Sequence, residues 1–335
     1  MPMKAIVIKS PGGPEVLEIM EVTKPEIQQG FVLMKNKAFG INRAEIFTRR
    51  GESPGVEFPR IPGIECVGVV EESGSKYFKK GQQIATLMGG MGRFFDGSYA
   101  EYTIVPEMQV FSFESDLEWE TIAAVPEMFQ TAYGALNFSL QIDQGETLLI
   151  RGGTSSVGLL AAQLAMLHGL DVISTTRHAS KFGVLQQYGV NNVMLDDGEI
   201  APKVRSTYPD GVDKLLDLTG TEVLRDSLNC VKRNGTLCLA GILSGKWLLE
   251  NFSPMFEIPT AVHLTSYVGD YTNLDSLSLQ NALNMVHSKE LNLPLSEVFD
   301  FENIRSAHEL MESNQANGKI VVRVNSNLSS YGKKS

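Results

Sequence analysis

From Leu148 to Ala165 the chain reads Leu-Leu-Ile-Arg-Gly-Gly-Thr-Ser-Ser-Val-Gly-Leu-Leu-Ala-Ala-Gln-Leu-Ala. An apolar strand-like run ends, small residues make a turn, and a helix-like run begins. Small residues let a backbone approach a pyrophosphate, whose charge then meets the unpaired amides of a helix N-terminus. Gly153 and Gly158 take the first and third positions of the dinucleotide fingerprint, and Ser155 stands where the middle glycine would be. A plain strand–turn–helix with a Ser/Thr cap would use the same residues. The next strand-like run ends Ser174-Thr-Thr-Arg-His-Ala-Ser-Lys, placing Thr176, Arg177 and Lys181 where a cofactor's adenosine ribose is usually held. No acid lies between Ser174 and Lys181, so the side chains there suit a 2′-phosphate, through charge-assisted hydrogen bonds from Arg177 and Lys181. That favours NADPH over NADH; two solvated surface charges are the alternative.

These residues need a sheet to hold them. After Pro126, short apolar runs (146–150, 171–176, 213–218, 236–240) alternate with helical segments (157–167, 181–188, 222–232). Such alternation predicts βαβ units and a parallel sheet. Residues 1 to about 125 instead carry short strand-like runs punctuated by Gly and Pro, predicting a β-rich domain of irregular strands. Near the end, 274–287 and 302–314 read as amphipathic helices, 319–324 as a closing strand, and 326–335 as a polar, disordered tail. The class is α/β.

Composition narrows the function. A net charge of −10 in 335 residues argues against a nucleic-acid partner, since phosphate contacts need clustered Lys and Arg. The most apolar stretch, 157–170, is broken by Gln163 and His168 and falls short of a membrane span. No signal peptide is read at the N-terminus. Cys66, Cys230 and Cys238 are scattered, which predicts no disulfide framework, no metal cluster and a reducing, cytoplasmic setting. Cys66 reads as a small core residue.

Five motifs in order then carry a resemblance over nearly the whole chain. They are Phe39-Gly-Ile-Asn-Arg-Ala-Glu-Ile-Phe, Pro62-Gly-Ile-Glu-Cys-Val-Gly-Val-Val, Gly97-Ser-Tyr-Ala-Glu-Tyr, Thr131-Ala-Tyr-Gly-Ala-Leu and Gly318-Lys-Ile-Val-Val. The chain resembles the medium-chain dehydrogenase/reductase superfamily, and within it the zinc-free quinone oxidoreductase, or zeta-crystallin-like, branch. The resemblance implies a GroES-like catalytic domain from 1–125 and 263–325, with a doubly wound Rossmann domain inserted at 126–262. It implies an active site in the cleft between them and a homodimer or homotetramer. By position, Asn42 and Glu45 would sit beside the nicotinamide and Thr131 would contact its ring or carboxamide. Thr154, Ser155, Ser156 and Val157 would follow the pyrophosphate, and Gly241 the nicotinamide ribose. Zinc-containing relatives have Gly-His-Glu where this chain has Gly63-Ile64-Glu65, and isoleucine cannot coordinate a metal. Two departures stand out: Phe47 replaces a frequent Tyr, and Asp196 falls where a Tyr often touches the 2′-phosphate, which the acid would repel.

The chemistry implied is hydride transfer from NADPH to a quinone or conjugated enone, which is electrophilic enough to need mainly positioning. Hydrogen bonds from Asn42 would stabilise the oxyanion; Tyr133, Glu45 and solvent are candidate proton sources. An enoyl-thioester or alkenal reductase, and a non-catalytic NADPH-binding relative, are the rival readings. The apolar segment 246–256 reads as a substrate or oligomer surface, His178 as a neighbour of the adenosine phosphate, and the other histidines as surface or helix residues.

Overall fold

The apolar runs after residue 126 pair side by side into one parallel sheet. The computed structural model describes residues 1–324, so the tail expected at 326–335 lies outside the described residues. The chain divides into two units, one built from Met1–Glu127, Asp270–Ser288 and the chain from Leu295, the other from Met128–Gly269 and Lys289–Pro294.

In the second unit six strands lie in the order Asn192–Leu195, Asp171–Thr176, Thr147–Arg151, Val212–Asp217, Val231–Leu239 and His263–Ser266. Every neighbouring pair is parallel. Both faces of the central strands are covered, so Leu148, Leu149, Ile150, Leu215 and Leu216 are all fully buried, as continuous apolar runs require. The helix Ser156–Leu167 follows the central strand Thr147–Arg151. That strand's two neighbours are reached by chain running in opposite directions across the sheet, which places a topological switch point at its C-terminal end. The boundary expected at 262 needs correction. His263–Ser266 pairs in parallel with Val231–Leu239 and completes the six-stranded sheet, so the chain leaves this unit only after Gly269.

In the first unit the strand Phe31–Ile41 is the hub, pairing antiparallel with Lys319–Arg323, Glu65–Ser73 and Tyr102–Pro106. Gln83–Leu87 and Val110–Ser112 extend the sheet on one side and Leu295–Asp300 on the other. Its core gathers Ile6, Val32, Phe39, Ile41, Tyr99 and Ile320, so the last strand of the unit packs with the first. Cys66 lies in the same core. The C-terminal helices run Ser276–His287 and Ile304–Glu312, each starting two residues later than the sequence pattern.

Candidate functional site

The strand Phe31–Ile41 ends beside a helix, Arg43–Arg49, whose third residue is Glu45. Glu45 reaches back to accept the Asn42 backbone amide at 2.9 Å, closing the first helical turn, and also accepts Ile64 N–H at 3.1 Å. Glu65, at the start of its strand, accepts from Lys319 Nζ at 2.6 Å, Asn42 Nδ2 at 3.0 Å and Glu127 N at 2.9 Å. Lys319 Nζ also donates to Asn42 Oδ1 and, at 3.2 Å, to Glu127. Glu45, Glu65 and Lys319 are all buried. Gly40 leaves the room for them: a Cβ there would lie 2.2 Å from Glu65 Oε1 and 2.5 Å from Lys319 Cε.

Burial pushes the Glu45 carboxyl up to about 8, against the pull of the Ile64 amide and Lys319. Burial raises Glu65 as well, opposed by Lys319. For Lys319 burial works against the charge, and the carboxylates of Glu65 and Glu127 overcome it, holding the ammonium above the ordinary lysine value. The donor set does not suit zinc. Ile64 offers no ligand atom, and the Asn42 and Glu65 oxygens are both directed at an ammonium. The Asn42 amide is also fully engaged, its Nδ2 donating to Glu65 and, at 3.4 Å, to Glu45. The hydrogens expected to meet a substrate oxyanion are therefore used inside the cluster, and Asn42 instead ties the two glutamates together.

In the other unit the glycine turn follows Arg151. Gly152 adopts φ +84°, and a Cβ on Gly153 would fall 1.8 Å from Ser174 Oγ. A Cβ on Gly158 would lie 2.8 Å from the carbonyl oxygens of Gly152 and Gly153, so helix and turn pack closely only because it is glycine. Ser155 caps the helix, accepting Gly158 N–H at 3.1 Å and donating to Gly152 O at 2.8 Å. The serine at the middle position thus serves as a cap within a glycine cradle. Thr154, Ser156 and Val157 are partly exposed around it. This cradle at a switch point fits a dinucleotide's pyrophosphate.

At the neighbouring strand end Thr176 is buried, Arg177 is exposed and Lys181 is half-buried. Burial lowers the Lys181 pKa, and the positive charge of Arg177 adds to that effect. Gly241 packs against the backbone of Leu218, where a Cβ would meet Leu218 O at 2.6 Å. Thr131 is buried in the helix Pro126–Gly134, and Tyr133 stacks on Phe129 at 5.3 Å between ring centroids. The structure thus groups Asn42 with Glu45, and the glycine turn with the 176–181 segment, while Thr131 belongs to a different unit from Asn42.

Four residues escaped sequence reasoning. Lys319 and Glu127 complete the first cluster. Arg151 is fully buried and spans Asp196 (2.8 and 2.9 Å), Asp226 (2.8 Å) and Ser227 (2.9 Å). His308 is buried, its Nε2 3.0 Å from Tyr99 Oη, so the expectation of a surface histidine fails there while the helical one holds. For Arg151 and Lys319 the usable signal was a charged residue inside an apolar strand, which a fold buries only with partners. Asp196 requires a correction: both its oxygens are turned to Arg151 and it is 8% exposed, so it does not present a bare charge to a phosphate. In the segment 246–256, Phe252 packs on the core, whereas Trp247, Met255 and Phe256 are exposed. No helix among the described residues is long and apolar enough to cross a membrane.

Residues 28–115 match the alcohol dehydrogenase GroES-like domain, and residues 188–322 the zinc-binding dehydrogenase family. A quinone oxidoreductase of Mus musculus is 30% identical over 250 residues, covering 71% of this chain and 73% of the relative. One from Homo sapiens is 28% identical over 329 residues, covering 96% and 97%. A mycobacterial protein solved in complex with NADPH is 25% identical, with a TM-score of 0.85 over 96% of this chain and all of that one.

Proposed function

This chain belongs to the quinone oxidoreductase branch of the medium-chain dehydrogenase/reductase superfamily, and from that premise we propose that it is a zinc-independent reductase using NADPH on a quinone or conjugated enone. That it is an oxidoreductase follows from its relatives. The observation carrying the finer reading is the glycine cradle at the switch point, with Arg177 and Lys181 at the end of the adjoining strand and no acid between Ser174 and Lys181. The cradle would hold the pyrophosphate along Gly153 to Gly158, Gly241 would lie near the nicotinamide ribose, and the two cations would hold the 2′-phosphate. When bound, the reduced nicotinamide supplies a hydride.

The chain's own residues position the reactants. The Lys319 cluster fixes the helix start at Asn42 and the turn at Ile64, stiffening the wall that the Asn42–Phe47 segment would present to a substrate. Thr131 would contact the nicotinamide carboxamide. A quinone needs no dedicated protein acid, because the hydroquinone anion formed takes its proton from solvent. The scattered placing of the three cysteines along the chain is the ground for a reducing, cytoplasmic setting. Exposed Met255, Phe256 and Val268 flank the edge strand His263–Ser266 in sequence and support self-association into a homo-oligomer.

The test is loss of the reduced-nicotinamide absorbance when a simple quinone is added to enzyme with NADPH or NADH. Oxidation favouring NADPH is expected, and Arg177→Ala/Lys181→Ala should raise KM for NADPH about tenfold while sparing NADH. No oxidation with either cofactor would overturn the quinone reading. An alkenal or enoyl substrate that succeeds where quinones fail would move the substrate class, and NADPH binding without any turnover would indicate a non-catalytic role.

A further inference from the structure

We propose that Arg151 is a positioning residue that sets cofactor preference by withdrawing Asp196 from the phosphate-binding strand ends. The inference rests on Arg177 and Lys181 holding the 2′-phosphate. Asp196 is close to both parts of that site. Its backbone amide donates to Thr176 O at 2.9 Å, one residue before Arg177. Thr175 Oγ1 donates to its carboxylate at 3.3 Å and accepts Gly152 N–H of the glycine turn at 3.2 Å. Asp196 therefore lies alongside the end of the strand that leads into Arg177, and one hydroxyl away from the turn.

An unpaired carboxylate in that place would act twice against NADPH. It would repel a phosphate, and it would offer Arg177 an internal anion in place of the cofactor's. It would also resemble the strand-end acid that accepts ribose hydroxyls in NAD enzymes. Arg151 prevents this. Its Nε and Nη2 take both carboxylate oxygens in a fork, with side-chain exposures of 0% for Arg151 and 7% for Asp196. The fork is anchored through Nη1 by Asp226, Ser227 and the Val223 carbonyl, and Nη2 also donates to Gly198 O. Asp196 is thereby held against Arg151 with both oxygens engaged, leaving Arg177 and Lys181 as the charges that would meet a cofactor at this strand end.

Arg151 also holds Asp226, whose carboxylate accepts Ile200 N and Ala201 N, so its replacement carries a structural cost shared by both cofactors. The informative quantity is the ratio of NADPH to NADH affinity, measured by calorimetric titration on the full chain. Arg151→Met should weaken NADPH by about tenfold and NADH by less than about threefold, equivalent to roughly 1.4 kcal/mol against 0.6. Adding Asp196→Asn to it should return NADPH to within about threefold of the parent, and Asp196→Asn alone should leave the ratio unchanged. Equal losses for both cofactors, no recovery in the double variant, or loss of NADPH in Asp196→Asn alone would each overturn the proposal. If Arg151→Met does not fold, Arg151→Lys keeps a charge but loses the fork. It should shift the ratio the same way by about threefold, and an unchanged ratio would again overturn it. Should Arg177→Ala/Lys181→Ala leave NADPH affinity intact, the phosphate assignment fails separately, and the Arg151 series still reads out on its own ratio.

Discussion

In the strand-rich unit one ammonium, Lys319, faces Glu65 and Glu127, with Glu45 joined through Asn42. In the nucleotide unit one guanidinium, Arg151, faces Asp196 and Asp226. Both clusters are buried, and both contain more carboxyls than cations. They differ in donor count. The ammonium spends its three hydrogens on Glu65, Glu127 and Asn42, so Glu45 is left with amide donors only. Burial pushes its carboxyl up to about 8, and those amides only partly oppose the rise. The guanidinium has a planar fork that takes both Asp196 oxygens and still reaches Asp226 and Ser227. Burial alone would raise Asp196, and the fork reverses that, holding it below the ordinary carboxylate range. The point charge leaves one buried acid without a direct cation, whereas the fork holds its acid in place and lowers it.

Substitutions can break or sharpen this contrast. The largest effect is expected for Lys319→Met, which strands Glu65 without its cation and should cost about 3–5 kcal/mol in urea unfolding. Glu65→Gln in the same chain should recover part of that loss, and full additivity would show that the pair is not coupled. Arg151→Lys should cost roughly 2–3 kcal/mol, because three donors cannot satisfy the acceptors that five now serve. A loss below about 0.5 kcal/mol would mean that the fork geometry carries little stability. Ser155→Ala removes only a helix cap and should cost about 1 kcal/mol, with Ser155→Thr close to the parent.

The smallest effect at neutral pH comes from Glu45→Gln, and its signature is a slope. The folded Glu45 pKa is raised from 4.5 to about 8, so its stabilisation is fully present below 4.5 and is lost as pH rises through 8. Denaturation midpoints should fall less steeply over that window in Glu45→Gln than in the parent. His308 has the opposite sign. Burial, with Arg49 nearby, lowers its pKa from 6.5 to about 3, so its contribution is present above 6.5 and lost on acidification. His308→Gln should flatten the acid limb and leave the alkaline limb as it is.

Much of this was legible in the chain. The run at 171–176 and the helix read at 157–167 were visible because a parallel strand covered on both faces is continuously apolar and a helix after such a strand starts at small residues. Gly153 and Gly158 were legible because only glycine allows such approach. The edge strand His263–Ser266 was not, since its four residues lack an apolar run and gain strand character by pairing with Val231–Leu239. The Lys319 cluster was invisible for another reason: Lys319 and Asn42 are 277 positions apart, and no local pattern encodes their meeting.

The sequence by itself determined the α/β class, the glycine turn, the cations at 177 and 181, and the isoleucine where zinc relatives carry histidine, because these depend on residue type and short spacing. Tertiary structure decided which charges act. It buried Glu45 and raised its carboxyl, used the Asn42 donors internally, and paired both Asp196 oxygens with Arg151. The physical reason is that a side chain's charge and free hydrogen bonds depend on burial and on partners brought from distant positions, which only the fold supplies.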